Sequence, residues 1–274
     1  MTYFNIHEID WAFILTLKEF RAYLSINEKA QLSTLNKVCS IKLRPIIFKS
    51  IKLGLNTIKY TAYNNYSCKG VSSLDQRLLN FNSKCSKVKF YVNYLTIDTF
   101  YNICKLPSIH NILPNLTCIK ILKNTIYLSA IASSFAKLEN LKVLELENIT
   151  FLSFQSTSGS EALLKLPGSL TTLNLKECYM INNSMANGPY KGAYNYSNET
   201  ISKKCFDMMD HYLPNIISYS ISGYDSSCNQ RLIDFVYRNP TLKTMTLSKC
   251  TFDSQTLDFI SGNSNKVNFV LAIS

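Results

Sequence analysis

Hydrophobic and polar residues follow a spacing along this 274-residue chain that neither a helix nor a simple strand explains. In SLTTLNLKEC (169–178), leucines occupy the first, fourth and sixth positions of a nine-residue unit, and Cys178 occupies the ninth. Each such unit predicts a short strand whose apolar residues face one core. The spacing returns in units that begin at Leu116, Leu141, Leu242 and, more loosely, Ile216.

Weaker copies of the unit flank this array. We expect a first strand within Phe48–Leu53, an earlier copy at Cys85–Asn93 and a last strand at Val267–Val270. Between the strands, residues 127–138, 227–238 and 254–261 have helical spacing. Strands that alternate with helices predict an α/β fold with a parallel sheet and helices outside it. An ordinary α/β protein with leucine-rich strands is the alternative.

The asymmetric spacing resembles the leucine-rich repeat, whose units recur every 20–29 residues. Here the units at Leu116, Leu141 and Leu170 start 25 and 29 residues apart. The resemblance implies a solenoid over residues 48–274, with parallel strands on the concave face and helices outside, because one repeat cannot bury its apolar face alone. The polar stretch 180–200 predicts a long inserted loop, or else a degenerate repeat.

Alternation along a strand would direct the third, fifth and seventh positions of each unit to the concave face. These positions are basic in the early strands and rich in hydroxyl groups in the late ones. An acidic or phosphorylated segment of a protein substrate would suit the lysine end, whereas a solvated face without a partner is the alternative. The candidate substrate-binding residues are Lys52, Lys87, Lys89, Tyr91, Lys120, Glu145, Glu147, Asn174, Lys176, Ser220 and Thr246.

The first part of the chain, residues 1–47, lacks the repeat and has apolar residues at helical spacing instead. Ser25 or Asn27 can cap a helix, and Glu28 favours a helix N-terminus. Pro45 is expected to end the helical region. The apolar positions that recur at this spacing are Leu17, Phe20, Leu24, Leu32, Leu35, Val38 and Cys39.

This segment resembles an F-box. Tyr23-Leu24-Ser25 and LSTLNKVC (32–39) match the central elements of that family, and LRPIIFKSIKL (43–53) is similar to its junction with leucine-rich repeats. Glu28 stands where an Asp is usual. The usual Leu-Pro opening is absent, and so is the Trp that follows the Val-Cys pair, near Lys42.

The resemblance implies a non-catalytic subunit of an SCF-type cullin–RING ubiquitin ligase. In that family the F-box docks on a Skp-type adaptor and the repeats bind the substrate. The matched apolar positions (Leu17, Phe20, Leu24, Leu32, Leu35, Val38 and Cys39) would then divide between the adaptor-binding surface and the helical core. The alternative function is a leucine-rich-repeat protein-binding scaffold with a helical N-terminal cap and no link to a ligase.

Composition and charge narrow the partners and the compartment. The net charge is +11 and the pI is about 9.1, but the lysines never form a run of five, which argues against a nucleic-acid-binding arm. Nine cysteines without a C-x-x-C pair indicate reduced thiols; Cys39, Cys178 and Cys250 are expected in the core. With no signal or membrane-spanning segment, we expect a cytoplasmic or nuclear protein.

Catalytic and metal-binding motifs are missing from the sequence. It has no G-x-S-x-G, Walker, H-E-x-x-H or dinucleotide fingerprint, and His7, His110 and His211 lie far apart without a spaced Cys pair. The sequence therefore predicts neither an enzyme nor a metal or cofactor site.

Overall fold

The computed structural model describes residues 17–35, 37–53, 85–98, 109–131, 134–154, 164–183, 203–223 and 229–272, with the single positions 14 and 83. Its helices are α1 (Lys18–Tyr23), α2 (Ile26–Leu35), α3 (Lys37–Ile47), α4 (Ile109–Ile112), α5 (Leu128–Ile131), α6 (Asn229–Arg238) and α7 (Ser254–Gly262). Its strands are β1 (Ser50–Leu53), β2 (Tyr94–Asp98), β3 (Cys118–Tyr127), β4 (Val143–Phe154), β5 (Thr172–Lys176), β6 (Tyr179–Asn183), β7 (Lys203–Cys205), β8 (Ser218–Ser222), β9 (Thr244–Ser248) and β10 (Asn268–Ala272).

The helical segment, α1–α3, begins its second helix with a reciprocal cap. The Ser25 hydroxyl accepts a hydrogen bond from the Glu28 amide at 3.2 Å, and the Glu28 carboxylate accepts one from the Ser25 amide at 2.7 Å. The predicted cap is therefore confirmed at Ser25. The prediction for Pro45 was wrong, since α3 continues to Ile47. The φ of proline is compatible with a helix, and Pro45 lies in the last turn of α3, where the helix continues for two more residues.

The strands form one open sheet in the order β1-β2-β3-β4-β5-β8-β9-β10, and every neighbouring pair along this path is parallel. β6 pairs with the second half of β4, and β7 pairs antiparallel with β6. The predicted α/β class with a parallel sheet and helices is confirmed.

The sheet register aligns the repeating units of the sequence. Leu144 of β4 lies beside Ile119 of β3 and Leu173 of β5, and Leu173 lies beside Tyr219 of β8. All four side chains are buried, as is the row two residues further along each strand. These two rows form the centre of one continuous core.

Main-chain hydrogen bonds repeat with the same register. At the start of six strands one carbonyl accepts two amides of the next strand: Thr117 O accepts from Lys142 N at 2.8 Å and Val143 N at 3.0 Å. Equivalent pairs of bonds converge on the carbonyls of Lys49, Asn93, Lys142, Thr171 and Ile217. The same backbone contacts therefore recur between successive units, whichever side chains the units carry.

A residue with positive φ recurs at the eighth position of five aligned units: Lys123, Asn148, Glu177, Gly223 and Lys249. In β3 and β4 this residue lies within the strand, whereas in the other three units it follows the strand. In three of these units the ninth residue makes a local hydrogen bond. Asn124 donates to Leu122 O at 2.6 Å, and the thiols of Cys178 and Cys250 donate to the carbonyls two residues before them.

Helices α6 and α7 confirm two of the predicted helices and pack on the apolar side of the sheet. Leu232 and Phe235 of α6 are buried in the main core, and the Phe235 ring lies 4.7 Å from the Tyr219 ring. The prediction for 127–138 was too long. There β3 extends to Tyr127, and α5 and a 3-10 turn (Phe135–Lys137) follow.

Three strand assignments need correction. Residues 85–91 form a turn, and the strand is β2, whose Leu95 and Ile97 are buried. At the end of the chain the register differs by one residue, because Phe269 rather than Val270 pairs with Met245. Of the stretch predicted as an inserted loop, 180–183 belongs to β6, and 184–200 lies outside the described residues.

Candidate functional site

The polar sheet face consists of the side chains at the third, fifth and seventh positions of the aligned strands, opposite the buried rows. Most of the predicted substrate-binding residues lie on it: Lys52, Lys120, Glu145, Glu147, Asn174, Lys176, Ser220 and Thr246. The prediction was wrong for Lys87, Lys89 and Tyr91, which lie in the turn before β2. Tyr94, Thr96 and Asp98 of β2 occupy the positions expected for those three residues.

Ion pairs neutralise the charged half of the polar sheet face. Lys120 Nζ lies 3.2 Å from Glu145 Oε2 and 3.7 Å from Glu147 Oε2, and Lys176 Nζ lies 2.9 Å from Glu147 Oε1. Nearer the first strand, Lys52 Nζ lies 2.9 Å from Asp98 Oδ2. Each lysine on this half thus faces a carboxylate, and the predicted basic end is locally balanced.

The ion pairs shift the pKa values of Glu147 and Lys120 in the directions that favour their charged forms. The hydrogen bond from Lys176 lowers the pKa of Glu147 below its usual range. The hydrogen bond to Glu145 raises the pKa of Lys120. Both groups therefore stay charged at neutral pH, and the network is fully formed there.

An open depression of about 330 Å³ lies on the polar sheet face. One side carries the ion-pair network, and the other carries hydroxyl groups from β8 and β9, as the sequence predicted for the late strands. Hydroxyl groups both donate and accept hydrogen bonds, so this surface can recognise uncharged polar groups. Its lining residues are Lys120, Glu145, Leu146, Glu147, Asn174, Lys176, Ser218, Ser220, Ser222, Thr246 and Ser248.

The helical segment divides the residues predicted to bind an adaptor into two groups. Cys39 is buried with Leu43, and Phe20, Leu24 and Leu32 pack against this small cluster. In contrast, Leu17, Leu35 and Val38 are exposed. The first group therefore holds the helices together, whereas the second is available to a partner.

Helix α3 has two apolar sides. Cys39 and Leu43, four residues apart, face the small cluster, whereas Val38 and Ile41, three residues apart, lie on the exposed side. The exposed fractions are 48% for Val38, 54% for Ile41 and 69% for Leu35 at the end of α2. We call these three residues the helix patch. Ile41 was missed in the sequence, although its spacing from Val38 was a usable signal.

Two of the described thiols, Cys118 and Cys178, are poorly suited to nucleophilic chemistry. Burial raises the pKa of Cys178 to about 12, and burial together with Glu145 raises that of Cys118 to about 11. Both remain protonated at neutral pH, and a thiol is a weaker nucleophile than a thiolate. Within the described ranges, no three His, Cys, Asp or Glu side chains gather as a metal site would require.

A charge cluster in which Asp207 is buried and Arg231 and Asp210 are partly exposed attaches the segment after β7 to α6. Arg231 donates to both oxygens of Asp207, at 2.9 and 3.1 Å, and to Asp210 at 3.1 Å through Nε. Burial raises the pKa of Asp207, although the positive charge of Arg231 acts to lower it. The side-chain nitrogens of Arg231 thus satisfy two carboxylates, and we assign the cluster a structural role.

No protein-family model matches the chain, and no curated protein matches its sequence. The polar sheet face and the helix patch are therefore the features from which a function can be inferred. In the part of the chain that is described, no helix has both the length and the apolar character needed to cross a bilayer.

Proposed function

We propose that the protein is the substrate-recognition subunit of an SCF-type cullin–RING ubiquitin ligase. In this proposal the helical segment is a divergent F-box that docks on a Skp-type adaptor, and the sheet belongs to a leucine-rich-repeat solenoid that holds a protein substrate. The observation that carries the proposal is the helix patch: Leu35, Val38 and Ile41 are exposed in the segment that resembles an F-box.

Exposure of the apolar side chains of the helix patch to water is energetically unfavourable. Each Å² of apolar surface removed from water contributes roughly 25 cal/mol, so three large aliphatic side chains favour association with an apolar partner. The small cluster around Cys39 and Leu43 already has its own packing partners, Phe20, Leu24 and Leu32. A partner protein can therefore cover the patch without disrupting the segment.

The solenoid assignment is supported by the recurrence of three features in successive units. The buried positions align in register, one carbonyl accepts two amides of the next strand, and a residue with positive φ occupies the eighth position. On the polar sheet face, we propose a substrate segment with uncharged polar side chains. The lysines that suggested an acidic or phosphorylated substrate, Lys52, Lys120 and Lys176, already face carboxylates.

Binding of the full chain to a purified Skp-type adaptor tests the docking. We expect the parent protein to bind in isothermal titration calorimetry and the Val38→Asp/Ile41→Asp variant to bind at least 100-fold more weakly, because two carboxylates would be desolvated in the interface. The matched control, Ala22→Asp/Gln31→Asp, adds the same charge at exposed positions of α1 and α2 and should bind like the parent. Circular dichroism checks the fold of each variant.

Absence of binding by the parent would reject the ligase proposal. The helical segment would then be a cap on a protein-binding scaffold, the alternative function considered from the sequence. Equal loss of binding in the control variant would place the interface elsewhere on the helices.

A further inference from the structure

The amino edge of the sheet, which we define as the five residues before each strand of β1–β5 and β8–β10, is strongly basic. All of these residues are described, and Glu139 is the single acidic residue among them. The polar sheet face, in contrast, balances its lysines with carboxylates. The amino edge carries five lysines: Lys49, Lys89, Lys142, Lys243 and Lys266.

These lysines share one side of the molecule because the strands are parallel and in register. Lys49, Lys142 and Lys243 each directly precede a strand. None of the five forms an ion pair with a carboxylate in the described ranges. From β1 to β10 the row covers seven strand intervals, roughly 34 Å measured along the sheet at about 4.8 Å per strand. The edge is therefore a row of lysines without local neutralisation.

Two exposed aromatic rings accompany this row. Phe90 lies in the amino edge before β2 and is 61% exposed, and Lys89 Nζ lies 5.0 Å from the centre of its ring. Tyr212, one residue outside the amino edge of β8, is 64% exposed. Lysines alone suit any polyanion, but exposed rings beside them also provide surfaces on which nucleobases stack.

We propose that the amino edge binds single-stranded nucleic acid. In this arrangement the lysines contact backbone phosphates, and Phe90 and Tyr212 stack on bases without reading the sequence. The absence of a lysine run in the sequence argued against such a function, but the register assembles the row from residues far apart in the chain. The proposal is independent of the ligase function, because the helix patch and the amino edge share no residue.

Fluorescence anisotropy with a fluorescein-labelled 12-nucleotide oligo(dT) tests the proposal on the full chain. Binding in 50 mM salt should weaken as salt rises, with a log–log slope of about −3.5 if all five lysines contact phosphates. In Lys49→Glu/Lys142→Glu/Lys243→Glu we expect affinity to fall at least tenfold and the slope to approach about −1.4.

A control variant separates the effect of the amino edge on binding from the effect of net charge. Lys18→Glu/Lys123→Glu/Lys204→Glu changes the net charge equally at exposed positions away from the amino edge, and should bind within about twofold of the parent. Glutamate fits the positive φ of Lys123, because Glu177 occupies the aligned position. Phe90→Ala/Tyr212→Ala should weaken binding roughly tenfold without changing the slope, because stacking releases no counterions.

Three results would overturn the proposal. The first is no binding by the parent in 50 mM salt, and the second is an equal loss in the control variant. The third is competition by a polyglutamate peptide as strong as that by unlabelled oligo(dT), with no effect of the aromatic substitutions. That last pattern would identify an acidic protein as the partner of this edge.

Discussion

The helical segment and the sheet bury their apolar residues on different scales. Among the described residues of the helical segment, Cys39 and Leu43 are the two that are buried, and the helix patch remains exposed. In the sheet, the fourth and sixth positions of successive units are buried in one core that runs from β1 to β9. The sheet can therefore be stable through its own packing, whereas the helices have a small core and a surface suited to a partner.

The largest expected loss of unfolding free energy comes from truncating one side chain in the core of the sheet or in that of the helical segment. Leu144→Ala in β4 should cost about 3 kcal/mol of unfolding free energy, because a buried leucine leaves a cavity between strands on both sides. Leu43→Ala should cost about 2 kcal/mol but act on the helical segment. Hydrogen–deuterium exchange followed by mass spectrometry locates each effect.

The regions in which exchange accelerates show whether the helical segment and the sheet unfold separately. In Leu43→Ala we expect faster exchange in α2 and α3 and unchanged exchange in β3–β5. If Leu43→Ala accelerates exchange in the sheet as strongly as Leu144→Ala does, the two regions unfold as one unit.

A smaller effect is expected at the reciprocal cap of α2. Ser25→Ala removes the hydroxyl that accepts a hydrogen bond from the Glu28 amide, and should destabilise the helical segment by about 1 kcal/mol. Ser25→Asp retains an acceptor at the same position and should behave like the parent. The helical circular dichroism signal during urea unfolding measures both variants, and an unchanged Ser25→Ala would show that α2 does not need the cap.

The smallest effect concerns the ion pairs of the polar sheet face. The folded-state pKa of Glu147 is depressed, so its contribution to stability is present above the ordinary glutamate pKa of about 4.3 and is lost as pH falls through the folded value. Because both partners are partly solvated, we expect this contribution to be less than about 1 kcal/mol. Lys176→Ala should raise the pKa of Glu147, as measured by NMR titration of its carboxyl carbon. Lys243→Ala is the control, and an unchanged pKa in Lys176→Ala would exclude the pairing.

Sequence spacing predicted the sheet well where the apolar residues were unambiguous. The strands at Leu144, Leu173 and Met245 are buried as expected, since the asymmetric spacing leaves one register that buries them. It failed before β2 because Val88 and Phe90 have the spacing of a strand. Burial instead selects the overlapping set Val92, Leu95 and Ile97. Two overlapping apolar sets cannot be separated without knowing which one the neighbouring strand covers.

Predicting the residues of the candidate surfaces required the correct strand register. Asp98 was not recognised as the partner of Lys52, because the misplaced strand put Lys89 and Tyr91 where β2 carries Thr96 and Asp98. In the helical segment, the spacing identified apolar positions correctly but could not separate Cys39, which is buried, from its neighbour Val38, which is exposed. That separation depends on how α2 and α3 pack, which is a tertiary property.

The repeated carbonyl that accepts two amides has a consequence for how this chain can evolve. Since backbone atoms make these bonds, almost any residue except proline can occupy the positions that supply them, and Lys49, Thr117 and Ile217 illustrate the range. Mutation can thus change the outward side chains of one strand while its neighbours keep their alignment. A lineage can exchange one recognition surface for another without first inventing a new framework.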